Sequence, residues 1–262
     1  MNVSLAEKRA VVCGSTQGIG KAAAIELAML GAAVTLVARN PDSLKATVAE
    51  LPRPDNQDHR FLAADFNDLN AVREIARALA QNATPQHILI NNTGGPPGGR
   101  AIDANPDDYL TAFSAHVVAA QILASALVPG MKTAGYGRIV NVISTGVKAP
   151  IPNLGVSNTV RGAMASWAKT LATELGPLGI TVNNVLPGYT RTERLRSLLA
   201  ARAAKEGASE QQVAKELIAT IPAGRFGEPE ETAAAIAFLA SPAAGYINGI
   251  NLPVDGGRLP TL

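Results

Sequence analysis

The sequence predicts an α/β fold, a doubly wound parallel sheet of about seven strands with helices on both faces. Three observations carry that expectation. Short, uniformly apolar runs rich in β-branched residues alternate with alanine-rich segments of helical period along most of the chain. The runs lack the in-and-out alternation of a strand with one wet face, so both faces must be covered. No glycine- or serine-rich linker divides residues 1–262, which are expected to form one domain.

The elements follow in order. "RAVVCG" is the first strand and "GKAAAIELAMLGA" its helix, and "AVTLVAR" and "PDSLKATVAEL" repeat the unit. "RFLAAD" and "LNAVREIARALAQ" give the third pair. "HILINNTG", "GRIVNVIS" and "ITVNNVLPG" are further strands, with "GAMASWAKTLATELG" a helix between the last two. Residues 190–225 break the rhythm with charged helical sequence. Insertions after a strand's carboxyl end lie beside the ligand crevice in such sheets, so this segment is a candidate substrate lid. "INGINLPVDGG" reads as the last strand and turn.

At 262 residues, 47% of them apolar, the chain can bury a large core. Its net charge is +2 and the basic residues form no runs, which argues against nucleic acid or an anionic membrane and for a small-molecule substrate. Cys13 is the only cysteine, and the opening "MNVSLAEKRAVV" lacks a long apolar segment, so a cytoplasmic protein without disulfides is expected. No metal site is expected.

The first strand runs into "CGSTQGIG", where Gly14, Ser15, Gln17, Gly18, Ile19 and Gly20 open an alanine-rich helix. Glycines in that strand–turn–helix context bring backbone N–H groups and a helix N-terminus up to a pyrophosphate. The second strand ends in Arg39, where an Asp or Glu would accept from a free ribose 2′-hydroxyl. Arginine there pairs with a 2′-phosphate, which favours NADP(H) over NAD(H). A solvated strand-end cation is the alternative.

Further motifs are "AAD" with Asp65, "NNTGG" with Asn91 and Gly94, "GRIVNVIS" with Ser144, "ITVNNVLPG" with Asn183, Pro187 and Gly188, and "GRFGEPEETAAAIAFLAS" followed by "YINGINLPVDGG". On these motifs and the glycine loop the chain resembles the short-chain dehydrogenase/reductase family over essentially its full length. The resemblance implies a Rossmann-type sheet. It places Asp65 near the adenine, Asn91 and Gly94 on the ribose side, and Pro187, Gly188, Thr190 and Thr192 over the nicotinamide. Asp65 as a helix cap and Pro187–Gly188 as a plain turn are the alternatives. The resemblance, with the apolar "AAAIAFLASPAAGYINGINL" and the tryptophan-bearing helix, implies a homo-oligomer, expected to be a tetramer.

The family carries a tyrosine thirteen residues after its catalytic serine and a lysine four further on. Counting from Ser144, these positions hold Ser157 and Arg161. No register shift restores the pair, because Tyr109, Tyr136, Tyr189 and Tyr246 are followed four residues later by Phe113, Val140, Glu193 and Ile250. A fourth family position, usually asparagine, falls on His116. A phenol has a pKa of about 10 that a cation can lower, whereas an aliphatic hydroxyl is a far poorer acid. Arg161 keeps the charge and can donate to ribose hydroxyls. The candidate catalytic set is therefore Ser144, Ser157, Arg161 and His116, with Arg161 also serving the cofactor. His116 and Tyr189 are weighed as substitute acids, against packing roles for both, and Lys148 as an exposed loop residue. Arg191, Arg194, Arg196 and Arg202 of the lid read as a solvated face or as contacts to an anionic substrate.

Three functions compete. The first is an NADP(H)-dependent oxidoreductase acting on a carbonyl or secondary alcohol by an altered proton route. The second is a catalytically weak dinucleotide-binding protein with a regulatory or structural role. The third is a non-redox lyase or hydratase on the same fold.

Overall fold

A computed structural model of the chain describes residues 1–82 and 84–261. Its strands are β1 (Arg9–Cys13), β2 (Ala33–Ala38), β3 (Arg60–Ala63), β4 (Ile88–Asn91), β5 (Gly137–Val142), β6 (Ile180–Pro187) and β7 (Asn251–Val254). They form one sheet in the order β3-β2-β1-β4-β5-β6-β7 and every neighbouring pair is parallel. This is the Rossmann-type arrangement. The strand order reverses beside β1, so the crevice for a ligand opens at the carboxyl ends of β1 and β4.

The α-helices among the described residues are α1 (Gly18–Met29), α2 (Pro41–Glu50), α3 (Leu69–Ala80), α4 (Pro106–Phe113), α5 (Ala119–Ala134), α6 (Gly155–Leu175), α7 (Glu193–Glu206), α8 (Glu210–Ala219) and α9 (Pro229–Ala240). Successive side chains of a buried strand serve opposite layers. In β1, Ala10 and Val12 pack with Ala24 and Leu27 of α1 and Ile236 of α9. Val11 and Cys13 face the other layer, with Val72 and Ile75 of α3, Leu123 of α5 and Ala168 of α6. The uniform hydrophobicity read in the strand sequences has this cause.

α4 and α5 are joined by a π-helical turn, Ser114–Val118, into one rod from Pro106 to Ala134. The rod is long and apolar enough to cross a membrane by composition, but Leu123, Leu127 and Met131 are buried against the sheet. α7 and α8 carry their own small core of Leu195, Ile221 and Phe226, with Tyr189, Leu199 and Leu217 packed on it. Thr192 and Ser209 cap these two helices through hydrogen bonds from Leu195 N and Gln212 N.

One sequence-based argument changes. The apolar residues of "AAAIAFLASPAAGYINGINL" do not stand exposed, because Ala233, Ile236, Ala237, Leu239, Ala240 and Ala244 are buried within the monomer; Tyr246 is the exposed exception. The exposed apolar side chains nearest one another in the chain are instead Ile102, Leu110 and Phe113, on and before α4.

Four asparagines form a ladder across four strands. Asn91 Nδ2 donates to Asn141 Oδ1 (2.8 Å), Asn141 Nδ2 to Asn184 Oδ1 (2.9 Å) and Asn184 Nδ2 to Asn251 Oδ1 (2.8 Å). The four stand in register on β4, β5, β6 and β7. Asn141 is fully buried, so replacing it by leucine leaves the Asn91 amide without its acceptor and the Asn184 carbonyl without its donor. Each orphaned buried group costs about 1–3 kcal/mol. Urea unfolding of Asn141→Leu should therefore show a loss of about 2–4 kcal/mol, well beyond that of a surface substitution.

Candidate functional site

A cleft of about 760 Å³ runs along the carboxyl ends of the strands, from Arg39 and Asp65 at one end to Ser144, Ser157 and Arg258 at the other. Its floor is the glycine loop after β1. Gly14 and Gly18 have φ of 58° and 52°, which lets the chain turn within four residues into α1. A Cβ on Gly20 would lie 2.1 Å from Gly14 O, so only glycine lets the helix pack against the loop. Asn92 fastens the loop from β4, donating from Nδ2 to Gly14 O (3.1 Å) and Cys13 O (3.3 Å).

The N-terminus of α1 is left open. Gln17 makes no side-chain capping bond and no acidic residue stands in the first turn. By contrast α2, α3, α4, α7 and α8 are capped by Asn40, Asp68, Asn105, Thr192 and Ser209. Free amides and a positive dipole end, facing the cleft beside glycines, suit a pyrophosphate. The residues present therefore fit a dinucleotide.

The cradle differs in detail from the sequence expectation. Gly14, Gln17, Gly18 and Ile19 line the cleft, and so does Thr16, which the glycine pattern does not single out. Ser15 is fully buried and its hydroxyl donates to Val37 O (3.3 Å), so it ties the loop to β2 and does not face the ligand. Gly20 acts from behind the loop through packing. Asn91 turns its side chain into the asparagine ladder and borders only a small inner void of about 10 Å³. Gly94 and the neighbouring Asn92 and Thr93 form the cleft wall there.

At the adenine end Arg39 is exposed at the tip of β2 and makes no ion pair among the described residues. Asp65 lines the cleft and accepts from Asn67 N (2.9 Å) and Asn67 Nδ2 (3.0 Å). The cap of the following helix is Asp68, not Asp65. On the opposite side, Pro187, Gly188, Thr190 and Thr192 line the cleft as β6 passes into α7.

Ser144, Ser157, Arg161 and His116 converge on the same wall. Ser144 follows β5, and its Oγ accepts from Gly146 N (3.0 Å), leaving its proton to donate. Ser157 stands in the first turn of α6, nearly buried, with no hydrogen-bond partner among the described residues. Arg161, one turn on, is 7% exposed. Its Nη1 donates to Val142 O (2.8 Å), while Nε is buried without a partner. Burial and, second, the charge of Arg194 push its pKa down to about 10, so it remains a cation at neutral pH.

His116 lies in the π-turn, where the extra residue per turn re-aims a side chain. It is buried and its Nδ1 is hydrogen-bonded to Thr93 Oγ1. Burial first, then the charge of Arg161, push its pKa down to about 2. This corrects the expectation of an imidazole with an ordinary pKa offering a proton: His116 is neutral here. Of the tyrosines, Tyr189 alone lines the cleft. Tyr136 hydrogen-bonds Ala240 O, and Lys148 is exposed.

The lid arginines separate. Arg191 pairs with Glu228, Arg196 with Glu193, and Arg202 with Glu206 and Glu216. Arg194 faces the cleft, where it donates to Pro96 O (2.7 Å) and lies against Gly95. Burial lowers its pKa. No group of three or more metal-ligating side chains occurs among the described residues.

The family model described as enoyl-(acyl carrier protein) reductase matches residues 14–258. The NADPH-dependent reductase BacG of Bacillus subtilis is 30% identical over 98% of this chain and 100% of its own length. The chain belongs to the short-chain dehydrogenase/reductase family. As a short-chain dehydrogenase/reductase it is an oxidoreductase, and its fold is shared closely by solved members. L-Sorbose reductase from Gluconobacter frateurii, solved with NADPH and L-sorbose, superposes with a TM-score of 0.93 at 30% identity, both chains being covered in full. YwfH, described as an NADPH-dependent reductase of bacilysin biosynthesis, gives 0.91 at 29% identity, covering 98% of this chain and all of its own.

A histidine whose folded pKa is lowered stays uncharged while the unfolded chain takes up a proton. Stability is therefore full above the unfolded value of about 6.5 and declines as pH falls below it. Burial shifts His59 and His87 in the same direction. NMR of the ring nitrogens should show His116 still neutral at pH 5, and the unfolding free energy should fall between pH 7 and 5. A ring titrating near pH 6.5 would contradict the buried, cation-facing site.

Proposed function

We propose that the protein is an NADP(H)-dependent oxidoreductase acting on a carbonyl or secondary alcohol, with Ser157 and Arg161 in place of the family's tyrosine and lysine. One observation carries this reading: the complete dinucleotide cradle leads directly to a wall where Ser144, Ser157 and a buried, charged Arg161 meet. The NADPH dependence of the reductase BacG and the NADPH bound by L-sorbose reductase support the cofactor.

When bound, the nicotinamide supplies or accepts the hydride. The chain's own groups handle the oxygen. Ser144 donates its hydroxyl proton in a hydrogen bond to the carbonyl, since Gly146 N engages one of its lone pairs and leaves that proton free. Arg161 offsets negative charge developing on that oxygen, and its own burial strengthens the effect. Its unengaged donors also suit the nicotinamide ribose hydroxyls. Ser157 is too weak an acid to deliver a proton as a phenol does, so the proton comes from water entering the cleft. Lack of a positioned acid costs about 10²–10⁴ in rate, which makes this a slow enzyme on generic ketones.

A second reading, a weakly catalytic dinucleotide-binding protein, draws on the same lack of a phenol and on the neutral state of His116. Turnover of a panel of aldehydes and ketones, followed as NADPH loss, separates the two. We also propose a homo-oligomer, a tetramer, formed in part over the exposed Ile102, Leu110 and Phe113; light scattering that gives a monomer mass at micromolar protein would overturn it.

Calorimetric titration should show NADPH binding more tightly than NADH, and Arg39→Asp should reverse the order. Tighter binding of NADH by the unaltered protein would remove the role given to Arg39. Arg161→Ala should weaken NADPH binding by about tenfold or more, the loss of a charged hydrogen bond. Ser157→Ala should leave binding intact and change turnover by less than about tenfold. The double variant Ser157→Tyr with Arg161→Lys should raise reductase turnover.

A further inference from the structure

We propose that the substrate is a carboxylic acid whose carboxylate is received by Arg258 at the lid end of the cleft. The proposal rests on the reductase reading above for the reaction, but its own support is separate. Arg258 follows the Gly256–Gly257 turn after β7 and reaches the cleft wall beside Tyr189. Its guanidinium lies over the Tyr189 ring, 4.6 Å from the centroid, and Nη2 is 3.4 Å from Tyr189 Oη. Its Nε is buried with no partner. A buried, unpaired N–H on a permanent cation is unfavourable until an acceptor arrives.

Among the described residues no carboxylate fills that need. The adjacent Asp255 has both oxygens committed to backbone amides, Oδ1 to Gly257 N (3.0 Å) and Oδ2 to Leu259 N (2.8 Å). Among the other acids on the wall, Asp65 holds its turn with Asn67 and Glu193 pairs with Arg196. Asp108, on α4, makes no ion pair with Arg258. The other cations of the cleft are placed elsewhere: Arg39 at the adenine end, Arg161 on Val142 O and Arg194 on Pro96 O.

The geometry favours a carboxylate over other anions. Nε and Nη2 form one edge of a guanidinium, with two parallel donors spaced for two carboxylate oxygens. The contact of Nη2 with Tyr189 is at the long limit of a hydrogen bond, so an incoming oxygen can take its place. One arginine and one phenol hydroxyl balance a single negative charge, whereas a phosphate dianion calls for more donors. Ile151, Leu154 and Leu198 on the same cleft supply an apolar wall for the body of the acid.

Calorimetric titration of the full chain, with and without saturating NADP⁺, tests this with matched pairs: butanoate and butanamide, benzoate and benzamide, 3-phenylpropanoate and 3-phenylpropanamide, together with phenyl phosphate. At least one acid should bind about tenfold or more tightly than its amide, the strength of a charge-assisted pair. Arg258→Gln should remove that preference, and Arg258→Lys should keep part of it as a check that the tail still folds. NADPH affinity should be unchanged in both variants. The proposal is overturned by acids binding no better than their amides, by a preference that survives Arg258→Gln, or by phenyl phosphate binding most tightly. Failure of NADPH to bind would instead strike the reductase reading, and the acid–amide comparison without cofactor would still decide this one.

Discussion

Three hydrogen bonds between the side chains of Asn91, Asn141, Asn184 and Asn251 cross the sheet from β4 to β7, on the approach to the carboxyl ends of the strands, each amide donating to the next in a single direction. Because every inner amide both gives and accepts, turning one round breaks two bonds, and a register slip breaks the pairing of that strand altogether. The rest of the site hangs from these ends. β4 continues into Thr93 and Gly94, β5 into Ser144, β6 into Pro187–Thr192 and β7 into Asp255–Arg258. Catalytic geometry tolerates little displacement, and a buried polar network is a rigid way to fix four loops against one another.

Electrostatics at the site follow from that rigidity. Arg161 is held away from water, with one nitrogen on Val142 O and another unpaired, and its charge faces a neutral His116. A lysine would carry its charge on a single nitrogen on a flexible stem. Arginine instead spreads donors over a plane, so one edge can hold the protein while the other is offered to ligand. A buried arginine therefore holds a fixed positive field at this wall, beside the serine at position 157. Positive charge also collects toward the lid, where Arg194 closes on Pro96 and Arg258 lies on Tyr189.

The helical segment of α7 and α8 is a semi-independent unit. Its hydrophobic core of Leu195, Ile221 and Phe226 is separate from the two large clusters on the sheet, and its outer arginines are tied to glutamates of the same surface. Such exposed pairs contribute little to stability, and a small core opens at lower free energy than the sheet. That segment is thus the one least constrained by the fold.

The sequence alone determined the alternating α/β order, the glycine loop, the cation at the end of β2 and the presence of Ser157 and Arg161 thirteen and seventeen residues after Ser144. These are local matters of periodicity, turn chemistry and residue identity, and they are readable in windows of a few residues. It also marked 190–225 as a separate helical stretch, since charged helical sequence interrupts the rhythm there. The asparagines were visible one by one, but their ladder was not, because it joins residues up to 160 positions apart through strand order. Ser15 and Asn91 sit in motifs that suggest ligand contact, yet tertiary neighbours turn both inward, to Val37 O and to Asn141. Which of four lid arginines faces the cleft depended on glutamates elsewhere on the surface. Only the tertiary structure decided the neutrality of His116, since a pKa is set by burial and by charges brought close in space, here Arg161 of a different helix.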